Sequence, residues 1–207
     1  MSRIDDFQNA LNLARERLSL RDPEEICHDA GAELSVLPGE KNILFPFFLN
    51  KVIITYPEGQ VRYQNEQGNL SLQEQGLILH YLLGVSDASL TGELITFREV
   101  PSGEFYYQPF LNRAQVPMVN TFGTDHELFQ ATGKKLGGKE AGMGDVSLIF
   151  HPFPKVPVTL VLWKGDQEFA PDGTILLDSS IKYFLAGEDV AFLAGTVVYK
   201  LIALSKN

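Results

Sequence analysis

Ile4, Phe7, Leu11, Ala14 and Leu18 recur at three- and four-residue intervals, so the chain opens with a helix carrying one apolar face. Asp22 followed by Pro23 reads as an N-cap with proline in the first turn, starting a short helix through "EEICHDA". From Glu33 the texture changes to short apolar runs separated by turns: "ELSVL", "NILFPFFL", "KVIITY" and "QVRY". Such runs predict an antiparallel meander. Asn50-Lys51 is expected to close one hairpin. "YPEGQ", with Pro57 second and Gly59 two residues on, predicts a type I turn with a bulge.

Ser71 and Glu74 have the spacing of a capping box, which opens a helix through "QGLILHYLL" that Gly84 is expected to stop. "ELITFREV" (93–100) alternates as a strand does, and "PSGEFYYQPFLNRA" predicts a turn and a short helix. Thr124 and Glu127 predict a second capping box. "VSLIF" (146–150) and "VTLVLW" (158–163) are the strongest strand signals. The prolines of "HPFPKVP" between them belong in a connection or on an edge. "TILL" (174–177) predicts another strand, and an apolar helix from Glu188 to Leu204 follows. This order lacks the regular alternation of a doubly wound sheet. It predicts one α+β domain over residues 1–207, an antiparallel or mixed sheet with flanking helices and a buried C-terminal helix.

Composition narrows the function classes. The 207 residues include 17 basic and 26 acidic side chains, a net charge of −9, and 44% are hydrophobic. Lys134, Lys135 and Lys139 form the one dense basic cluster, too little to grip a phosphate backbone, so no nucleic-acid partner is expected. The N-terminus is charged from residue 3 and has no apolar signal core. "VAFLAGTVVYKLIAL" (190–204) holds a lysine and falls short of the ~20 residues that span a bilayer, so no membrane partner is expected. A single cysteine, Cys27, allows no disulfide and no cysteine-held zinc or iron–sulfur cofactor, which suits a reducing cytoplasm.

Few motifs carry chemistry. "GKKLGGKE" (133–140) has the glycine and lysine spacing of a phosphate loop, but Glu140 stands where the magnesium-binding hydroxyl belongs. It reads better as a helix C-terminus followed by a glycine-rich loop. Cys27 and His28 are adjacent on a helix and do not face each other. His80, His126 and His151 fall in no zinc-binding pattern. The stretch "WKGDQEFAPDGTILLDSS" (163–180) remains, with four carboxylates between an apolar strand and a helix.

Two physical readings of that stretch stay open. If its strands are neighbours, Asp166, Glu168 and Asp178 converge at one sheet edge, with Glu188 from the last helix. Such oxygen ligands suit Mg²⁺ or Mn²⁺. Alternatively, Asp178 before Ser179-Ser180 is helix-cap chemistry. Gly165-Asp166 and Asp172-Gly173 are then turn residues, and Glu188-Asp189 complement a helix dipole.

The same residues carry a resemblance. "PVTLVLWKGDQEFAPDGTILLDSSIKYFLAGEDVAFLAG" resembles the C-terminal signature W-x-G-D-E-E-F-P-P, I-L-F-D-x-S, Y-L, E-D-x-A-x-L-x-G of a family of unknown function. "LILHYLLG" and "ITFREVPSGEFY" are similar to its middle section. The signature falls on Trp163, Gly165, Asp166, Glu168, Phe169, Pro171, Asp178, Ser180, Tyr183, Leu185, Glu188 and Asp189, and departs at Gln167 and Ala170. The resemblance implies anaerobic bacterial and archaeal hosts, with some members fused to a cysteine-rich iron–sulfur domain of corrinoid-protein type. It assigns no reaction. Two functions follow as expectations. One is a non-catalytic accessory module serving an iron–sulfur or corrinoid partner. The other is a metal-dependent enzyme or small-molecule binder using Asp166, Glu168, Asp178 and Glu188.

Overall fold

The computed structural model describes residues 3–65, 68–84 and 87–206, with side chains of the first helix from residue 5 onward. The expected place of Ile4 on the apolar face therefore lies outside the described residues. The chain has an α+β fold with two antiparallel sheets and a C-terminal helix. It divides into two compact units.

The first unit holds Met1–Ser89 with Phe153–Lys155 and Tyr183–Leu185. Helix α1 (Arg3–Ser19) buries Leu11, Ala14 and Leu18 and packs along α3 (Leu72–Gly84). Helix α2 (Pro23–Ala30) starts as predicted: the Asp22 carboxylate accepts from the N–H groups of Glu24 and Glu25 at 2.8 and 3.1 Å. The meander is β1 (Glu33–Leu37), β2 (Glu40–Phe47), β3 (Asn50–Tyr56) and β4 (Val61–Tyr63), in that spatial order. Ser71 and Glu74 form the expected capping box, each side chain accepting from the other's N–H.

Two turns differ from expectation. Phe47 pairs with Asn50, so Phe48 and Leu49 make the hairpin turn and Asn50 already belongs to β3. Phe48 takes φ 54°, which costs a non-glycine residue ~1–2 kcal/mol. Its buried ring, edge-on to Phe47 at 4.9 Å, offsets that cost. At the second turn Gly59 N–H donates to the Thr55 carbonyl at 2.8 Å, not to Tyr56 as the expected type I turn requires, and Gly59 adopts φ 66°. The aromatic core of this unit centres on Tyr81, stacked on Phe153 at 4.4 Å. Its hydroxyl donates to the Ala30 carbonyl at 2.8 Å. Burial raises that phenol's pKa.

The second unit holds Leu90–Pro152, Val156–Lys182 and Ala186–Asn207. Its sheet runs β5 (Leu94–Thr96), β9 (Asp172–Asp178), β8 (Val156–Trp163), β7 (Val146–Phe153), β6 (Lys139–Glu140). The predicted strand 93–100 is cut short. Thr96 donates its N–H and hydroxyl to the Glu99 carboxylate at 2.7 and 2.8 Å, and Phe97–Glu99 turn into a 3₁₀ helix. Strands β7 and β8 run further than predicted, taking in Pro152 and Pro157. Pairing of β7 with β6 involves only Leu148 and Ile149, and pairing of β8 with β9 starts at Val158. Both prolines thus sit beyond the ends of those two ladders.

The short helix expected near residue 105 is a longer run: α4 (Gly103–Phe110), a π turn (Leu111–Gln115) and α5 (Val116–Phe122). Pro109 and Pro117 each lack the N–H that a carbonyl four residues back would accept, and the helix widens between them. Helix α6 (His126–Lys135) is capped by Asp125, not Thr124; the Asp125 carboxylate accepts from Leu128 N–H at 2.9 Å. Its end explains the glycines of "GKKLGGKE". A Cβ on Gly133 would meet Leu148 Cδ1 at 2.1 Å, and one on Gly138 would meet Phe150 Cε1 at 2.6 Å. Those glycines let α6 lie against β7. Helix α7 (Gly187–Ser205) buries Val190, Leu193, Val197 and Leu201. Among the described residues no helix is long and apolar enough to cross a membrane.

Candidate functional site

The β8–β9 connection is a hairpin closed by the pair Trp163 and Asp172, with residues 164–171 as its loop. The loop is held by its own backbone. The Asp166 carboxylate accepts from Glu168 N–H and Phe169 N–H, both at 2.8 Å, and Asp166 N–H donates to the Phe169 carbonyl at 2.8 Å. Those donors hold the Asp166 carboxyl below its ordinary pKa. Gly165 permits the close return: a Cβ there would lie 2.6 Å from Pro171 N and Cδ. At the loop's entry Lys164 N–H donates to Asp145 at 2.7 Å. Thr124 and residues 164–171 line a cavity of about 330 Å³.

Phe169 is 70% exposed on this loop, which also carries the exposed residues Asp166, Glu168 and Asp172. Solvent-exposed phenylalanine on a fixed loop is the unusual feature here, since a ring of this size normally finds cover. Trp163, at the end of β8, is also part-exposed.

Asp178 lies elsewhere. Strand β9 advances ~3.3 Å per residue, so Asp178 stands about 20 Å along it from Asp172. The expected convergence of Asp166, Glu168 and Asp178 therefore does not occur. The strands are neighbours, as expected, but residues at opposite ends of one strand cannot share an edge. Asp178 is 4% exposed and fully engaged. It accepts from Thr91 N–H (3.0 Å), the Thr91 hydroxyl (2.9 Å), Gly92 N–H (2.7 Å) and Ser180 N–H (3.0 Å). Because the Thr91 hydroxyl spends its proton on Asp178, the 2.8 Å contact with Ser179 has the Ser179 hydroxyl donating. Burial alone would raise the Asp178 carboxyl; donors from Ser180, Thr91 and Gly92 outweigh it and bring the group down to about 2. The buried Ser180 hydroxyl favours the charged form, although it falls outside full hydrogen-bond geometry.

Glu188 occupies the first turn of α7 and accepts a long 3.5 Å hydrogen bond from the Tyr106 hydroxyl. Asp166 and Glu168 thus share a loop, while Asp178 and Glu188 stand in separate settings. Among the described residues no group of three or more His, Cys, Asp or Glu side chains is arranged to hold a metal ion.

The other reactive candidates are quiet. Cys27 is buried, and desolvation pushes its thiol up to about 11. His28 turns outward to Asp29 at 3.2 Å. His151 is held below its ordinary pKa by desolvation and by the charge of Lys139. Phe169 was visible in the sequence as part of a motif, but nothing in the residue pattern says that a phenylalanine faces water. The Thr91 and Gly92 donors come from a segment more than eighty residues away and carry no local signal.

Comparison with curated proteins finds no match, and neither does comparison with solved structures. A family described as a domain of unknown function (DUF3786) matches residues 22–200, from the N-cap of α2 well into α7. With α1 outside that segment and both sheets within it, the chain belongs to the DUF3786 family.

Proposed function

We propose that this protein is a non-catalytic binding or accessory module, and that the 164–172 loop is its contact surface. The observation that carries the reading is Phe169: a large apolar ring held in solvent by a backbone that is itself locked. A partner that covers the ring gains its burial, worth roughly 1.5–3 kcal/mol, and orders little that is not ordered already. Exposed Asp166, Glu168 and Asp172 flank it in sequence on a chain of net charge −9, so the partner surface it suits is basic. The resemblance of the C-terminal signature supports a cytoplasmic iron–sulfur or corrinoid protein of an anaerobe as that partner.

The test is affinity capture from an anaerobic lysate with wild type and Phe169→Ser side by side, captured proteins being identified by mass spectrometry and their iron and cobalt measured. The expected result is an iron–sulfur or corrinoid protein retained by wild type, lost with Phe169→Ser and released by salt. Equal retention by both proteins contradicts the loop as contact surface.

A further inference from the structure

We infer that β1 is a pairing edge for a second copy of this chain, forming a symmetric antiparallel β1–β1 contact. Each sheet has two outer strands, and the four are not alike. Three are blunted in ways that discourage pairing with another chain: β4 has three residues with Arg62 at its centre, β5 has three before the chain turns into a 3₁₀ helix, and β6 is only Lys139-Glu140. Strand β1, "ELSVL", is the exception. It runs five residues with no lysine, arginine or proline, pairs among the described residues with β2 alone, and leaves Val36 61% and Leu37 56% exposed.

An outer strand offers a row of backbone donors and acceptors, so its natural occupant is another extended backbone. The sequence of β1 favours a copy of itself. A two-fold axis through Ser35 pairs Leu34 with Val36 and Glu33 with Leu37, so the one charged residue never meets its twin. Glu33 is already served within its own chain by Lys51, 3.7 Å away. Apolar Val36 and Leu37 would each gain a cross-strand neighbour.

The inference is tested on the full chain by sedimentation across a concentration series, with crosslinking of Ser35→Cys by a short bis-maleimide. Antiparallel partners stand about 4.5–5.5 Å apart between Cα atoms, so two copies of residue 35 lie within reach. Wild type serves as the crosslinking blank because its Cys27 is buried, and Ser89→Cys, exposed elsewhere, serves as the second control. The expected results are a concentration-dependent dimer, efficient crosslinking at residue 35 and not at 89, and association weakened about tenfold or more with Val36→Lys, which places a charge on the pairing edge of each protomer. A monomer at every concentration overturns the inference. So does a dimer that crosslinks no better at residue 35 than at 89, or one that Val36→Lys leaves intact.

Discussion

At the scale of single residues, Asp178 shows how a buried carboxylate is held by the fold. Its four donors are protein groups, three of them from Thr91 and Gly92, far away in the chain. Its folded-state pKa, about 2, lies below the ordinary value of 3.8. A depressed carboxyl contributes stability that is present above the ordinary pKa and lost as pH falls through the folded value. Asp178 therefore contributes on the order of 2 kcal/mol at neutral pH, lost progressively between about pH 4 and pH 2. In an acid titration of stability, Asp178→Asn should flatten that part of the curve and lower the melting temperature at pH 7. A variant with the wild-type profile contradicts the assignment. Cys27 gives a second residue-scale test. With its thiol raised to about 11, a thiol reagent should label it slowly in native protein and rapidly in denaturant. His151 works in the same direction as Asp178: its lowered pKa means that stability rises with pH up to the ordinary value near 6.5.

At the scale of elements, α3 separates two uses of glycine that look identical in sequence. Gly76 lies inside the helix with nothing within 4 Å of the Cβ position, whereas a Cβ on Gly84 would meet the Phe184 carbonyl oxygen at 2.3 Å. Gly76→Ala should stabilise by about 0.5–1 kcal/mol through helix propensity. Gly84→Ala should destabilise, because backbone cannot move aside as a side chain can. Thermal melts of the two variants should shift in opposite directions. The expected stop of α3 at Gly84 borders residues 85–86, which lie outside the described residues, but one contact at this end of the helix has no local signal. Arg21, over sixty residues earlier, donates to the Leu82 and Leu83 carbonyls at 3.2 and 3.1 Å. Local patterns read well wherever the deciding partner is local, as with Asp22 and its two N–H donors or Ser71 with Glu74. They failed where a neighbour changed the balance. Asp125 displaced Thr124 as a cap, and Glu99 bent the chain at Thr96 when alternation alone predicted that the strand would continue.

At the scale of the whole molecule, the α+β class, the first meander and the final helix follow from periodicity, because burial of one face imposes it. The division into two sheets does not, since strand order within a sheet depends on pairings between distant segments. The candidate site was half legible for the same reason. The stretch 163–180 was singled out as one unit; Gly165 and Asp166 lie in the loop as turn residues, whereas Asp172 and Gly173, expected in a turn, pair with Trp163 and Leu162 at the start of β9. The union of Asp166 with Asp178 required both a register and a strand length, and the hairpin closed by Trp163 and Asp172 sends Asp178 to the far end. Charge enters at this scale too. With Asp166, Glu168 and Asp172 exposed on the loop that bears Phe169, in a chain of net charge −9, binding of the proposed partner should weaken as ionic strength rises toward a Debye length of ~3 Å near 1 M salt. Phe169→Ser should weaken binding while leaving the melting temperature unchanged, since the ring is exposed.

The proposed function requires that the carboxylates of this stretch serve the fold and its contact surface instead of an ion. Its most direct test is a thermal melt of chelator-stripped protein with and without excess Mn²⁺, Mg²⁺ or Ca²⁺, beside Asp166→Asn and Asp178→Asn. The account predicts no ion-dependent shift in any of the three proteins, with Asp178→Asn melting lower throughout. An ion at a hundred times its dissociation constant would raise stability by ~2.7 kcal/mol, or roughly 5–10 °C for a chain of this length. A shift of that size in wild type, absent from both variants, would contradict the account and make the stretch a metal site.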